Sequence, residues 1–146
     1  MVPEKLQRTL DAFAFMDDRA ERIQTLIGIA NRFRPVPEAV AIRPYPETAK
    51  VPACESEAYC FPVEREDGTL DFHFAVENPQ GISAKAMAVV LAESLSGAPL
   101  PQVAAVSQDL PIRLFGPELS MGKTMGLTGM VAMVQAAARR GLGRVS

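Results

Sequence analysis

The sequence predicts an α+β fold, in which a small antiparallel β-hairpin packs against helices on one side. The dipeptide Asp67-Gly68 separates two runs of alternating hydrophobicity, which is the strongest short-range sign of a hairpin. On both sides of these runs, apolar residues recur at helical spacing. The chain has 146 residues, 48% of them apolar, and is expected to form a single domain spanning residues 1–146.

Two helices are predicted before the hairpin. The first extends from Pro3 to Ala14, and the second begins at Asp17-Asp18 and ends before Pro35. The apolar face predicted for the second helix consists of Ile23, Leu26, Ile27, Ala30 and Phe33. From Arg34 to Pro52 there are five prolines, so this segment is interpreted as a connection.

The register of the hairpin follows if Asp67 and Gly68 form a two-residue turn. The expected pairs are then Val63 with Phe72, Phe61 with Phe74, and Tyr59 with Val76. All three pairs are apolar and share one face of the hairpin, as cross-strand packing requires. Cys60 and Pro62 are expected on the other face, and Pro62 indicates an edge strand.

The segment after the hairpin is predicted to be helical. Asn78 would cap a third helix that starts at Pro79 and ends at Ser96-Gly97. Pro99–Val106 is expected to form a short helix at most, and Asp109–Phe115 is ambiguous. A last helix is expected from Met121 to Arg140, and the residues spaced by four along it are predicted to form a core-packing stripe: Met121, Met125, Gly129 and Met133.

Composition and charge exclude several classes of protein. The net charge is −2 without any block of like charges, whereas a nucleic-acid-binding protein needs a basic stripe. No apolar run reaches the length of a membrane span, and the first residues lack the apolar region of a signal peptide. Two cysteines without a secretory segment indicate the reducing cytosol, so we expect a cytoplasmic protein.

Two sequence features that resemble functional motifs are better interpreted as having no role in catalysis or ligand binding. Gly122-Lys123-Thr124 resembles the end of a phosphate-binding P-loop, but Pro117 stands where that loop needs its first glycine. The motif is therefore interpreted as a helix N terminus. His73 is the only histidine and lies on a predicted strand, so we interpret it as structural or solvated. No metal site is predicted, because the cysteines and this histidine lack ligand spacing.

Cys54 is the candidate functional residue. It lies in the polar, proline-containing stretch VPACESEAYC, whereas Cys60 lies between two aromatic residues, as a buried cysteine would. If the chain between them is extended at about 3.3 Å per residue, their separation is too large for a disulfide. Cys54 has no histidine partner in the sequence. Such a thiol suits a passive role, in which another enzyme activates the group that it receives.

The chain resembles the SufE family over roughly Met16 to Arg140. The family has a V-x-G-C-x-S-like turn, which here reads Val51-Pro52-Ala53-Cys54-Glu55-Ser56. A hairpin follows, and then a helix with a lysine near its start, here Lys85. The last helix of the family opens with an S-R-x-x-G-L-x-x-M-like pattern, which here reads Gly122-Lys123-Thr124-Met125-Gly126-Leu127-Thr128-Gly129-Met130.

This resemblance implies a sulfur acceptor without a cofactor of its own, and not an enzyme. Cys54 would accept sulfur as a persulfide from a SufS-type, pyridoxal-phosphate-dependent cysteine desulfurase and pass it to an iron–sulfur scaffold complex. The residues that the resemblance implies for partner contact are Glu55, Ser56, Lys85 and Lys123. The chain departs from the family pattern at Ala53, where the family has glycine, at Glu55, where glutamine is usual, and at Lys123, where arginine is usual.

Three alternatives remain open from the sequence. A thiol redox protein would use Cys60 to resolve an oxidised Cys54, but C-x-x-C spacing is lacking. A cluster scaffold is a rival because the SufE fold is related to that of IscU-type scaffolds, although a scaffold typically presents three cysteines. The third alternative is an interaction domain with an incidental cysteine. The sequence also leaves open whether the protein is a monomer or a homodimer.

Overall fold

A computed structural model describes residues 1–145 and shows six helices and one two-stranded antiparallel sheet within them. The predicted α+β class is confirmed. The elements in chain order are α1 Glu4–Ala14, α2 Arg19–Ala30, a 3-10 turn Glu47–Ala49, β1 Ala58–Glu64, β2 Leu70–Val76, α3 Ile82–Leu95, α4 Leu100–Ala104, α5 Leu110–Phe115 and α6 Met121–Val145.

Helix α3 is the centre of the core and is apolar around most of its circumference. Nine of its residues are buried, which is why it lacks the one-sided pattern of a surface helix. Helices α1, α2 and α6 and strand β2 all pack against it. The start predicted at Asn78-Pro79 was wrong by three residues, because the Asn78 side chain instead accepts a hydrogen bond from the Gln80 backbone in a turn before Ile82.

The hairpin is present, but its predicted register was wrong by one residue. Strand β1 pairs Cys60 with Phe74 and Pro62 with Phe72. The turn contains three residues, with Gly68 at φ +85° and its N–H donating to the Arg65 carbonyl. This arrangement is a type I turn followed by a left-handed glycine, which adds one residue to the loop that Asp-Gly alone suggests.

The one-residue shift reverses the faces of β1. Cys60 and Ala58 face the main core together with Phe72 and Phe74. Tyr59 and Phe61 lie on the other face, and they form a second apolar cluster with residues of the proline-rich connection and with Ala75: Val36, Ala41, Tyr45 and Ala49. The connection is therefore packed against the sheet, and the Val36 N–H donates to the Phe74 carbonyl.

The methionine stripe predicted to be core was wrong at its N-terminal end. Met121 and Met125 are 79% and 53% exposed, and Met133 is half-buried against the core. The buried face of α6 instead consists of Leu127, Met130, Val131, Val134, Ala137 and Ala138. The predicted face of α2 also needs correction, since Ile23 is 44% exposed while Ile29 is buried.

Among residues 1–145, no helix combines the length and the apolar character that crossing a membrane requires. Helix α6 is 25 residues long but amphipathic, with exposed arginines near its C-terminal end. It begins at Met121, as predicted, and extends beyond the predicted end at Arg140. The ambiguous segment from Asp109 to Phe115 forms the short helix α5.

Candidate functional site

Cys54 lies at the tip of a compact loop, which we call the cysteine loop (residues 52–57). The loop is closed by backbone pairing on its two sides: Lys50 pairs with Tyr59, and the Val51 N–H donates to the Ala58 carbonyl over 2.8 Å. The chain therefore folds back between Cys54 and Cys60, and the expectation of an extended segment was wrong. Both cysteines are nevertheless free thiols.

Two residues of the cysteine loop adopt left-handed backbone conformations. Ala53 has φ +56° and Glu57 has φ +51°. A non-glycine residue in this region costs roughly 1–2 kcal/mol, because its Cβ crowds the following carbonyl oxygen. The family has glycine at the position of Ala53, and glycine would adopt this positive φ without that cost. Between these residues, the Glu57 N–H donates to the Cys54 carbonyl over 3.2 Å and tightens the turn.

One side of the cysteine loop is hydrogen-bonded to the segment that follows β2. The Asn78 N–H donates to the Ser56 carbonyl over 3.1 Å, and the Glu77 N–H donates to the Glu57 carbonyl over 3.2 Å. Arg43 forms an ion pair with the Glu77 carboxylate at 2.9 Å, and its hydrogen bond holds the pKa of Glu77 below the ordinary value. These contacts hold the base of the loop, whereas Cys54 itself lies on the opposite side.

The other side of the cysteine loop lies on three glycines of α6, at positions 122, 126 and 129. The Glu55 carboxylate lies against Gly122, Cys54 lies against Gly126, and the Pro52 carbonyl lies against Gly129. Positions separated by four and three residues share one face of a helix, so the glycines form a continuous shallow groove. We call this surface the glycine groove.

Close approach explains why glycine is needed in the glycine groove. A Cβ at Gly126 would lie 3.0 Å from the Cys54 Cα, and a Cβ at Gly129 would lie 3.1 Å from the Pro52 oxygen. Such distances are too short for an undisturbed backbone. In the sequence, the spacing of four along this part of α6 predicted a core-packing stripe that consists mainly of methionines. The spacing of the glycines was the signal that could have revealed where the loop lies.

Cys54 borders a cavity of about 260 Å³, which we call the cysteine cavity. Its walls come from the cysteine loop, from the segment 78–84 that leads into α3, and from the first turns of α6. Two helices thus begin at this cavity, and the N-terminal ends of helices carry partial positive charge. Cys54 is half-buried there and also touches the main core.

The cysteine cavity brings together three of the four residues predicted to contact a partner. Glu55, Ser56 and Lys123 line it. Lys85 does not line it, because its ammonium donates over 3.1 Å to the Pro79 carbonyl and so holds the turn before α3. Residues that the sequence did not single out also line the cavity: Gln80, Gly81, Ile82, Ser83 and Ala84.

Cys60 and His73 lie away from the cysteine cavity. Cys60 is 2% exposed on the core face of β1, and burial raises the pKa of its thiol to about 12. His73 is half-buried opposite Phe61 in the hairpin. Within residues 1–145, no three His, Cys, Asp or Glu side chains group closely enough to hold a metal ion.

Comparisons with known proteins identify a family and solved structures of similar fold. The family model described as "SufE: Fe-S metabolism associated domain" matches residues 7–138. The solution structure of a hypothetical protein from Thermus thermophilus is similar, with a TM-score of 0.74 and 25% sequence identity, over 98% of this chain and 99% of that chain. A comparison with curated proteins gives no significant match.

Proposed function

The chain belongs to the SufE family, and from this premise we propose that it accepts sulfur on Cys54 from a cysteine desulfurase. It would stimulate that enzyme by removing its sulfur, and would deliver the sulfur to an iron–sulfur scaffold complex. The protein itself is a carrier and needs no cofactor. Two free thiols fit a reducing cytosol, where we place this activity.

The position of Cys54 is the observation that carries the proposal. The thiol lies at the tip of a loop rather than on a helix or strand, at the edge of a cavity, and without a resolving cysteine beside it. An acceptor thiol has to enter the active site of another enzyme. A loop whose base is hydrogen-bonded and whose tip packs largely on glycines meets that requirement.

The transfer step is a thiol exchange that needs no oxidant. The Cys54 thiolate attacks the outer sulfur of the persulfide on the desulfurase, and a new sulfur–sulfur bond forms on Cys54. The sulfur–sulfur bond of the donor persulfide breaks, and the donor cysteine leaves as a thiolate. The proton on the outer sulfur stays on that sulfur as it moves to Cys54, so atoms and electrons balance.

Two helix N termini and one ammonium group near Cys54 stabilise an anionic product of this step, whereas the Glu55 carboxylate in the same cavity opposes it. Helices α3 and α6 both begin at the cysteine cavity, and the Lys123 side chain lines it. A persulfide is readily ionised, and an anion is stabilised by helix N termini and by a nearby ammonium group. The cavity of about 260 Å³ offers space for the added sulfur atom.

We propose that the loop leaves its resting position before transfer. Cys54 is half-buried against Gly126, so α6 covers one side of the thiol and restricts the approach of a partner's persulfide. The glycines of α6 present no side chains to the loop, so the contacts that oppose this movement are the close approach to α6 and the packing of Cys54 against the main core. We propose that docking of the desulfurase replaces these contacts and exposes the thiol.

Two alternatives fit the geometry less well. A redox role for the pair requires Cys60 as a thiolate, which its burial and raised pKa of about 12 disfavour at neutral pH. A cluster scaffold requires several ligands around Cys54. The side chains of the cysteine cavity that could bind iron are Cys54 and Glu55, which are fewer than the three or four ligands such a site needs.

The proposal is tested by intact mass spectrometry. The protein is incubated with the cysteine desulfurase of the same organism, pyridoxal phosphate and cysteine, alongside its Cys54→Ser and Cys60→Ala variants. The wild type and Cys60→Ala should gain whole sulfur atoms that a reductant removes, and Cys54→Ser should gain none. Equal gain by Cys54→Ser, or no gain by the wild type, would refute the assignment.

A further inference from the structure

A second and larger depression lies next to the cysteine cavity, and we call it the α2 groove. It has a volume of about 680 Å³ and lies between α2, the first residues of α3 and the segment 115–123 before and at the start of α6. Its apolar lining includes Ile23 and Ile27 from α2, Ile82 from α3, and Leu119. The proposed sulfur transfer does not use this groove.

The α2 groove and the cysteine cavity share part of their walls. Ile82, Ser83 and Lys123 line both of them. A protein that reaches Cys54 over this wall therefore also lies over the groove. The two depressions form one surface along the start of α3, with the thiol at one end.

Exposed apolar side chains border the α2 groove. Ile23 is 44% exposed and Ile82 is 47% exposed, although both belong to helices with well-buried faces. A depression bordered by more than one large exposed apolar side chain has the composition of a protein–protein contact surface. An apolar side chain of a partner would remove both isoleucines from water.

The charges around the groove restrict what can bind there. The Arg22 guanidinium is engaged by four backbone carbonyl groups, those of Phe13, Met16, Arg113 and Leu114. Arg19 is paired with Glu118 at 2.7 Å. Asp17 and Lys123 also line the groove, and neither forms an ion pair within the residues that the structure describes. Lys123 is the charge at the boundary with the cysteine cavity.

We propose that the α2 groove receives an apolar side chain of the protein that loads Cys54, with an acidic residue of that protein beside it to pair with Lys123. This inference rests on the proposed function and adds a second contact point to it. The occupant is the sulfur donor because the groove shares Lys123 and Ile82 with the cavity of the acceptor thiol. Binding in the groove would then hold the donor protein in place relative to Cys54 while the cysteine loop moves away from α6.

The test compares two variants that carry the same substitution at similar exposure. Ile23→Glu alters the groove, and Ile112→Glu alters an isoleucine on α5 that is 49% exposed and does not line the groove. Both proteins should keep the melting temperature of the wild type. Calorimetry then gives the affinity for the cysteine desulfurase of the same organism, and loading of Cys54 is measured with that enzyme and with inorganic polysulfide.

We expect Ile23→Glu to raise the Kd about tenfold, which corresponds to about 1.4 kcal/mol, while Ile112→Glu leaves it unchanged. Loading by polysulfide should be equal in all three proteins. If Ile23→Glu binds and loads like the wild type, the groove has no such role, although the proposed function stands. If the wild type neither binds nor loads, both proposals fall. If Ile23→Glu changes only self-association in sedimentation, the occupant is a second copy and this inference is overturned.

Discussion

Gly126 of helix α6 lies in direct contact with Cys54, so closely that a Cβ at this glycine would lie 3.0 Å from the Cys54 Cα and 3.3 Å from its Sγ. The atom that it would meet first is backbone, which cannot rotate away. The proposed acceptor thiol can therefore occupy this position only because residue 126 of α6 has no side chain.

Replacement of Gly126 should displace the cysteine loop. We expect Gly126→Ala to lose roughly 1–3 kcal/mol to overpacking, partly offset by about 1 kcal/mol of helix propensity. Because the loop is pushed off α6, alkylation of Cys54 by iodoacetamide should become several-fold faster. Urea denaturation and the alkylation rate measure the two effects.

Gly28 provides the matched control for this experiment. It lies inside α2, and a Cβ there would meet nothing within 4 Å. Gly28→Ala should therefore stabilise the protein by about 1 kcal/mol and leave the alkylation of Cys54 unchanged. Equal behaviour of the two variants would show that Cys54 does not rest on Gly126.

Glycine at position 53 should relieve strain in the loop. Ala53 has φ +56°, and Ala53→Gly removes the cost of that conformation while the unfolded chain gains freedom. The expected net stabilisation is up to about 1 kcal/mol, measured by chemical denaturation. The same substitution at Ala132, an exposed position in α6, should destabilise the protein by about 1 kcal/mol. A loss of stability in Ala53→Gly would contradict the backbone conformation of the loop.

Burial of Cys60 predicts a loss of stability at alkaline pH. The folded-state pKa is about 12 against an ordinary 9.0, so between these values the unfolded state releases a proton that the folded state keeps. The free energy of unfolding should therefore fall as pH rises above about 9, by up to about 1.4 kcal/mol per pH unit from this group. Full stabilisation by the neutral thiol is present below that range.

The Cys60→Ala variant isolates this contribution. Its stability is lower at neutral pH because a buried side chain is truncated, but its decline above about pH 9 should be shallower than that of the wild type. Denaturation curves from about pH 7 to about pH 10.5 span the onset of this titration and provide the comparison. Parallel slopes for the two proteins would show that the thiol titrates in the folded state as it does in the unfolded state.

The two lysines predicted to contact a partner should differ in their effects: substitution of Lys123 should alter sulfur loading, and substitution of Lys85 should alter stability. Lys123 lines the cysteine cavity, so Lys123→Met should slow loading by the desulfurase and leave stability within about 0.5 kcal/mol. Lys85 donates to the Pro79 carbonyl, so Lys85→Met should cost about 1 kcal/mol of stability. Once folded, Lys85→Met should be loaded at close to the wild-type rate, which steady-state loading assays and denaturation can check.

The hairpin illustrates what local sequence could predict. Asp67-Gly68 and the alternating runs correctly indicated two antiparallel strands and the place of the turn. They could not give the register, because Asp-Gly is compatible with two-residue and three-residue loops, and the choice depends on packing on both faces. In the structure Cys60 faces the main core, whereas Tyr59 lies on the opposite face of β1. That face is covered by the proline-rich connection.

The candidate residues show a similar division. Cys54 stood out by its polar surroundings, and the family pattern pointed to Lys123 in the same cavity. Helical spacing alone also made Met121 and Met125 look like core residues, yet they are exposed. At its N-terminal end, α6 turns its glycines toward the rest of the protein. The cysteine loop, which is distant in sequence, occupies the space that side chains at these positions would otherwise fill.

The sequence by itself determined the α+β class, the SufE family and the thiol to examine, because these depend on local patterns and on motifs read along the chain. Only the tertiary structure decided the register of β1, the left-handed conformation of Ala53, the contact of Cys54 with Gly126 and the α2 groove beside it. Each of these depends on residues far apart in sequence, whose approach is set by how the core is packed and which backbone atoms must come within van der Waals distance.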